Sequence, residues 1–375
     1  MTRTGSQKSG LRICLASILM LLCYSGLCAD KVAPKVGNPK AASAALSADE
    51  EAALIRKIQE RNPRDQAIEK GVTYLISKQN KDGSFGEIHK TALTGLAVMA
   101  LMGAGHTPDD APHGPAICNA LNYVLSQMRQ DGYLGHGDNS RMYGHGICTL
   151  MLTEAAGMTR DDVLERRLIE GCRRAVDLIL KSQAVKKGNG QQGGWRYEPN
   201  STDSDLSLTG WQTMSLRSAK NIGIEVPNSA ITEAVNYIRA CAGPNGEFGY
   251  QNKNEERTPL RGIGLLALPV CGVYDAPELA KATAKMFQDP PKWQGPWFYY
   301  RTYYSAMGMY QMGDEAWNRF YPLVDAALVK QQAPDGSWPE PPGNNEWEAG
   351  RGIYTTSLAV LTLAVHYHLL PIYQR

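Results

Sequence analysis

Charge of one sign is missing from this chain. Over 375 residues, 39 Lys and Arg stand against 37 Asp and Glu, a formal net charge of +2. Residues 1–29 hold Arg3, Lys8 and Arg12 and no acid, so the remainder is close to neutral. That balance excludes electrostatic capture of nucleic acid or of an anionic membrane as the organising function. Paired cysteines are missing too: none of the eight forms a CxxC. Cys14, Cys23 and Cys28 fall in the first 29 residues, leaving an odd five, Cys118, Cys148, Cys172, Cys241 and Cys271. Spacing assigns no disulfide among them, and they read as small buried hydrophobes. No metal site and no cofactor follows from these residues. Strand-like alternation is also absent.

The amino terminus reads as a signal peptide over residues 1–29. A basic segment (MTRTGSQKSGLR) precedes the apolar run ICLASILMLLCYSGL, and small residues follow at Cys28 and Ala29. The run is short for a permanent span, so no membrane span is expected after cleavage, and the mature chain is expected to be exported, periplasmic or secreted. Residues 30–46 (DKVAPKVGNPKAASAAL) have no periodicity and read as a flexible linker. A capping box from Ser47 to Glu50 opens one leading helix, which Pro63 stops. Residues 47–375 form one expected domain.

What fills that domain is a repeat. Six turns carry Gly and an aromatic: QNKDGSF ending at Phe85, QMRQDGY at Tyr133, QAVKKGNGQQGGW at Trp195, CAGPNGEF at Phe248, PPKWQGPW at Trp297 and QAPDGSW at Trp338. After each comes a helix opening that aligns without gaps, at Gly95, Gly146, Gly210, Gly262, Ala306 and Ser357. Recurrence at such a period marks units that bury their apolar faces only by stacking. The first helix of each unit is amphipathic, as in QAIEKGVTYLISKQ, and the second is apolar nearly all round, as in TALTGLAVMALMGAG. The prediction is all-α: an (α/α)6 toroid of six helix pairs, amphipathic helices outside and apolar helices inside. Asp or Asn before Gly supplies the turn, the aromatic wedges between helix pairs, and Gln79, Gln127, Gln183 and Gln332 bridge to backbone.

These turns, such as KGVTYLISKQNKDGSF and ALVKQQAPDGSW, resemble the repeats of the terpene cyclase and protein prenyltransferase superfamily, α/α-toroid proteins with the prenyltransferase and squalene oxidase repeat. The resemblance runs from about residue 66 to the carboxyl end. GGWRYEPNSTDSDLSLTGW resembles the stretch of squalene-hopene cyclases in which a GGW turn is followed by an Asp-x-Asp-Asp motif, whose central acid protonates the polyprene. On that likeness Asp203 matches the first Asp and Asp205 the proton donor, while Leu206 stands where the last Asp would be. The zinc set of protein prenyltransferases has no counterpart, since no Cys lies near Asp203 or Asp205.

Residues just before the inner helices are expected to converge on one mouth, where the helix amino termini also point. The catalytic set is Asp205, Asp203 and His145, with His145 as hydrogen-bond partner of Asp205. The substrate-contacting set is Trp195, Trp211, Tyr300, Arg301, Tyr303, Arg351 and Tyr354. Each has a plainer alternative. Asp203 or Asp205 caps a helix, His145 bonds a neighbouring loop, and half of the aromatics in WFYYRTYYSAMGMY pack as core. Two functions stay open: a terpene cyclase-like isomerase or isoprenoid-binding toroid, and a non-catalytic exported toroid that grips a lipid, glycan or peptide. A polysaccharide-degrading toroid is a third.

Overall fold

The computed structural model describes residues 62–255, 257–342 and 352–374. The expected signal peptide, linker and leading helix from Ser47, and Arg351, lie outside them. Within the compact unit Gln59–Arg375 the first six helices are α1 (Pro63–Ser77), α2 (Lys90–Gly103), α3 (Gly114–Ser126), α4 (Arg141–Ala156), α5 (Asp162–Ala184) and α6 (Leu206–Asn221). The next six are α7 (Asn228–Ala240), α8 (Arg261–Val270), α9 (Pro277–Gln288), α10 (Phe298–Gln311), α11 (Asp314–Gln331) and α12 (Ile353–Ala364). Among the described residues there is no strand, only isolated bridges such as Gln79 to Phe85.

The even-numbered helices are the apolar ones, and every residue of α12 and nearly every one of α2 is buried. Each packs on the next, from α2 through α4, α6, α8 and α10 to α12, and α12 returns to α2. The odd-numbered helices expose their polar faces and lie on the even ones, with α1 touching both α11 and α12. An α/α toroid is the result. Its inner helices sit close because the aligned openings are small. A Cβ added to Gly146 would lie 2.6 Å from Gln212 Nε2, and one added to Gly262 2.6 Å from the Ser305 nitrogen on α10.

The turns hold neighbouring pairs together. Gln79 Nε2 donates to the Gly83 carbonyl at 3.0 Å and to the Ala116 carbonyl on α3 at 2.7 Å. Gln183 does the same for Gly193 and Ala230 on α7. Gln332 bonds Gly336 and then Ala67 on α1, tying the last repeat to the first. Gln127 departs from the pattern, bonding the Ser126 hydroxyl instead. The aromatics Phe85, Tyr133, Trp195, Phe248 and Trp338 are buried wedges as expected, whereas Trp297 is 48% exposed. Phe298 is the buried ring there, edge-on to Trp293. Cys118, Cys148, Cys172, Cys241 and Cys271 are free thiols.

At the carboxyl ends of the inner helices the last residues pack back onto the ring. A short turn, Pro371–Tyr373, lies on α6. The buried Glu154 carboxylate accepts from Ser218 Oγ at 2.5 Å and from the Ile372 nitrogen at 3.2 Å. Burial raises its pKa to about 7, and those two hydrogen bonds oppose the rise. The unfolded carboxyl ionises near 4.5, so the contribution of this group to stability is full below that pH and is lost as pH rises through about 7. Two outcomes are expected. Glu154→Gln should flatten the fall in thermal midpoint over that window, an effect of at most about 3 kcal/mol, read by calorimetry at a series of pH values. Gln332→Ala should destabilise the fold by about 1–3 kcal/mol in urea titrations, with Gln127→Ala close to neutral.

Candidate functional site

The inner helices present a repeated register to their turns. The backbone nitrogens of Phe85, Trp195 and Trp338 donate to the hydroxyls of Thr94, Thr209 and Thr356 at 2.9, 3.2 and 3.1 Å. Each of those threonines stands one residue before an aligned opening. His145 stands in the same place before Gly146, and its Nδ1 accepts from the Leu134 nitrogen at 3.2 Å. Nε2 then faces the Ala175 carbonyl at 3.1 Å, which makes it the protonated nitrogen of a neutral ring. Burial lowers the His145 pKa to about 4, and the carbonyl only partly offsets that. His145 is therefore a latch between a turn and α4, with both nitrogens committed, and not the expected partner of Asp205.

Asp205 is fully buried and caps α6, accepting from the Leu208 nitrogen at 2.8 Å. Its other oxygen takes Arg196 Nη1 at 2.8 Å, while Arg196 Nε reaches Asp203 at 3.2 Å. Burial raises the Asp205 pKa to about 6; the amide, Arg196 and the Tyr250 hydroxyl pull the other way. The two acids thus share one guanidinium, which in turn stacks over the Tyr197 and Tyr250 rings at 4.7 and 5.2 Å.

Beside this cluster, at the amino ends of the inner helices, opens a cavity of about 310 Å³. Its wall is built from side chains four apart on four of the inner helices: Tyr143 and Ile147 on α4, Ser207 and Trp211 on α6, Tyr300 and Tyr304 on α10, Tyr354 and Leu358 on α12. Leu96 of α2 completes the floor, and Tyr197, Tyr250, Arg257, Pro259, Leu260 and Trp297 come from the loops. Eight rings face one space. Among the described residues no carboxylate lines it. Ser207 Oγ joins two walls, accepting from Tyr143 at 2.7 Å and bonding Tyr300 at 2.5 Å. Trp211 is stacked on Tyr303 and edge-on to Tyr304. Burial raises the Tyr143, Tyr300 and Tyr304 phenols far enough to keep them neutral.

Of the expected contacts, Trp211, Tyr300 and Tyr354 line the cavity. Trp195, Arg301 and Tyr303 do not, and neither do Asp205, Asp203 and His145 of the expected catalytic set. Trp195 is a wedge whose Nε1 donates to the Ile179 carbonyl at 2.8 Å. Arg301 turns away to Asp289, 2.8 Å from its carboxylate, and Tyr303 bonds the Tyr373 hydroxyl behind Trp211. Asp205 stays behind Arg196 and Tyr250. One residue is about 100° of rotation, which turns Arg301 away from Tyr300; Tyr303, about 60° round from Tyr300, is held off the wall by its bond to Tyr373. Tyr197, Tyr250 and Trp297 were not anticipated. Tyr197 and Tyr250 each stand two residues after a turn aromatic, a register shared by GGWRY and GEFGY, and that was the available signal.

Among the described residues no group of three His, Cys, Asp or Glu side chains is placed to hold a metal, and no helix is long and apolar enough to cross a membrane. The latch gives a pH prediction. With the folded His145 pKa near 4 against an ordinary 6.5, its neutral ring stabilises the fold fully above 6.5, and that stability is lost as pH falls through 4. His145→Gln should reduce the acid lability between those values, seen as a shallower decline in thermal midpoint.

No family model matches the chain, and no curated protein matches it by sequence. Solved structures do. The α-1,6-mannanase GH76A of Salegentibacter sp. HEL1_6, solved as an inactive variant with α-1,6-mannotriose, superposes with a TM-score of 0.60 at 9% identity, over 80% of this chain and 99% of that one. The type II terpene cyclase MstE from Scytonema gives 0.52 at 16% identity, over 83% and 100%. A glycosidase variant in complex with glucose gives 0.55 at 12%, over 87% and 100%. At such identities the likeness concerns architecture, and on architecture it is unambiguous: this chain has the α/α-toroid fold that terpene cyclases and glycosidases share.

Proposed function

We propose that the toroid is an exported receptor for an apolar chain, an isoprenoid or another lipid, held in the aromatic cavity. The observation that carries the reading is the composition of the wall. Eight aromatic rings and five aliphatic or proline side chains surround about 310 Å³, within the ordinary range of ligand sites. Burying apolar surface there is favourable by about 25 cal/mol per Å² before the costs of binding. Glycoside hydrolysis calls for two carboxyl groups flanking the scissile bond, and the described wall offers none. Export rests on the composition of residues 1–29.

One observation favours a second, catalytic reading. Asp205 has a raised pKa and bonds Tyr250, which does line the cavity, so a terpene cyclase-like proton donation from Asp205 would run through that hydroxyl. Binding is the stronger reading, because Arg196 favours the ionised carboxylate and a phenol is a poor donor to an alkene.

Trp211 and Trp297 line the cavity and make intrinsic fluorescence a direct readout. Titration with farnesol should give a saturable change in wild type, weakened at least tenfold in Trp211→Ala. Saturable binding of an oligosaccharide with no response to farnesol would overturn the reading. Asp205→Asn should leave farnesol affinity within about threefold, since Asn caps about as well as Asp. Formation of a cyclised product by wild type, lost in Asp205→Asn, would establish the catalytic reading instead.

A further inference from the structure

We propose that the ligand of this cavity is an apolar chain ended by an oxyanion, carboxylate or phosphate, with Arg257 as the residue that holds the charged end. The inference rests on the lipid-binding reading and adds the chemistry of the head. Four other described arginines have anions of their own. Arg196 has Asp203 and Asp205, Arg141 has Glu198 at 3.3 Å, and Arg261 and Arg301 share Asp289. Arg257 differs. It lines the cavity, is exposed, and stacks with its guanidinium carbon 4.5 Å from the centre of the Tyr250 ring. Among the described residues no carboxylate lies within ion-pair distance of it.

Stacking on Tyr250 fixes the plane of the guanidinium but leaves its N–H groups unspent. A planar fork of that kind matches a carboxylate or a phosphate in bidentate fashion. The surroundings favour the same sign. No acid lines the described wall, and α4, α6, α10 and α12 all begin at this end, with the positive ends of their dipoles directed towards it. The rings below Arg257 remove water from one side of the site, which strengthens any ion pair formed at the mouth. An anion-headed chain therefore satisfies both parts of the site at once, its tail among the rings and its head on the guanidinium. A pure hydrocarbon leaves Arg257 unanswered, and a sugar leaves the rings only partly covered.

Three probes with one tail test this: farnesol, farnesoate and farnesyl phosphate, titrated against tryptophan fluorescence at neutral pH. Wild type should bind at least one of the two anions tenfold or more tighter than farnesol. The tighter anion assigns the head as carboxylate or phosphate. Arg257→Gln should abolish that preference, so that the anions bind this variant no tighter than farnesol binds it, and Arg257→Lys should restore part of it. Added salt should weaken the anions and not farnesol. Equal affinity for all three in wild type, or a preference that survives in Arg257→Gln, would overturn the assignment of Arg257 and leave the lipid-binding reading intact. If no probe binds, the lipid-binding reading fails and the inference falls with it.

Discussion

The structure depends on a hydrogen bond repeated at the tips of four of the six units: a buried turn nitrogen given to a side chain one residue before the inner-helix opening. Thr94, Thr209 and Thr356 accept it as hydroxyls and His145 as an imidazole. A buried amide without an acceptor costs about 1–3 kcal/mol, so each of these tips is pinned to its inner helix. Pinning fixes the rotation of that helix about its axis. Rotation in turn decides which side chains, four apart, face the centre. The glutamine bridges add the lateral tie, from one turn to the outer helix that follows, and Gln332 to Ala67 closes the circuit.

Fixing rotation is what makes a cavity of chosen chemistry. On α10 the rings of Tyr300 and Tyr304 are turned inward, while Arg301 is spent on Asp289. On α6 Ser207 and Trp211 face in, while Asp205 caps the helix and pairs with Arg196. Carboxylates are thereby kept off the described wall and rings are placed on it. The fifth repeat relaxes the rule. There Phe298 is the buried ring, and Trp297, freed from the wedge role, joins the cavity rim.

How much of this was legible follows from which interactions are periodic. The alternation of amphipathic and apolar helices, the small residues at the openings and the turn chemistry all recur, and they predict the toroid correctly. Facing is harder to read. A helix buried on every side has no polar stripe to show which residues point at the centre, so Tyr303 and Arg301 looked as good as Tyr300. His145 carries a strong chemical prior, and its register with three threonines shows a structural post instead. Tyr197 and Tyr250 lie in loops whose paths depend on tertiary contacts such as the Tyr250 carbonyl to Leu206. Arg257 stands just before an inner helix, which already places it at the mouth, and its stacking over Tyr250 at the cavity gives that place a role.

The most direct test of the central claim is to see what the cavity contains. Protein purified from its native source, without detergent, would be studied by native mass spectrometry and then extracted with solvent. A lipid at close to one molecule per chain is expected in wild type, and it should be lost from Trp211→Arg, in which a charged side chain enters the ring of aromatics. An empty wild-type protein that takes up oligosaccharide and ignores lipid, or a lipid retained equally by Trp211→Arg, would contradict it.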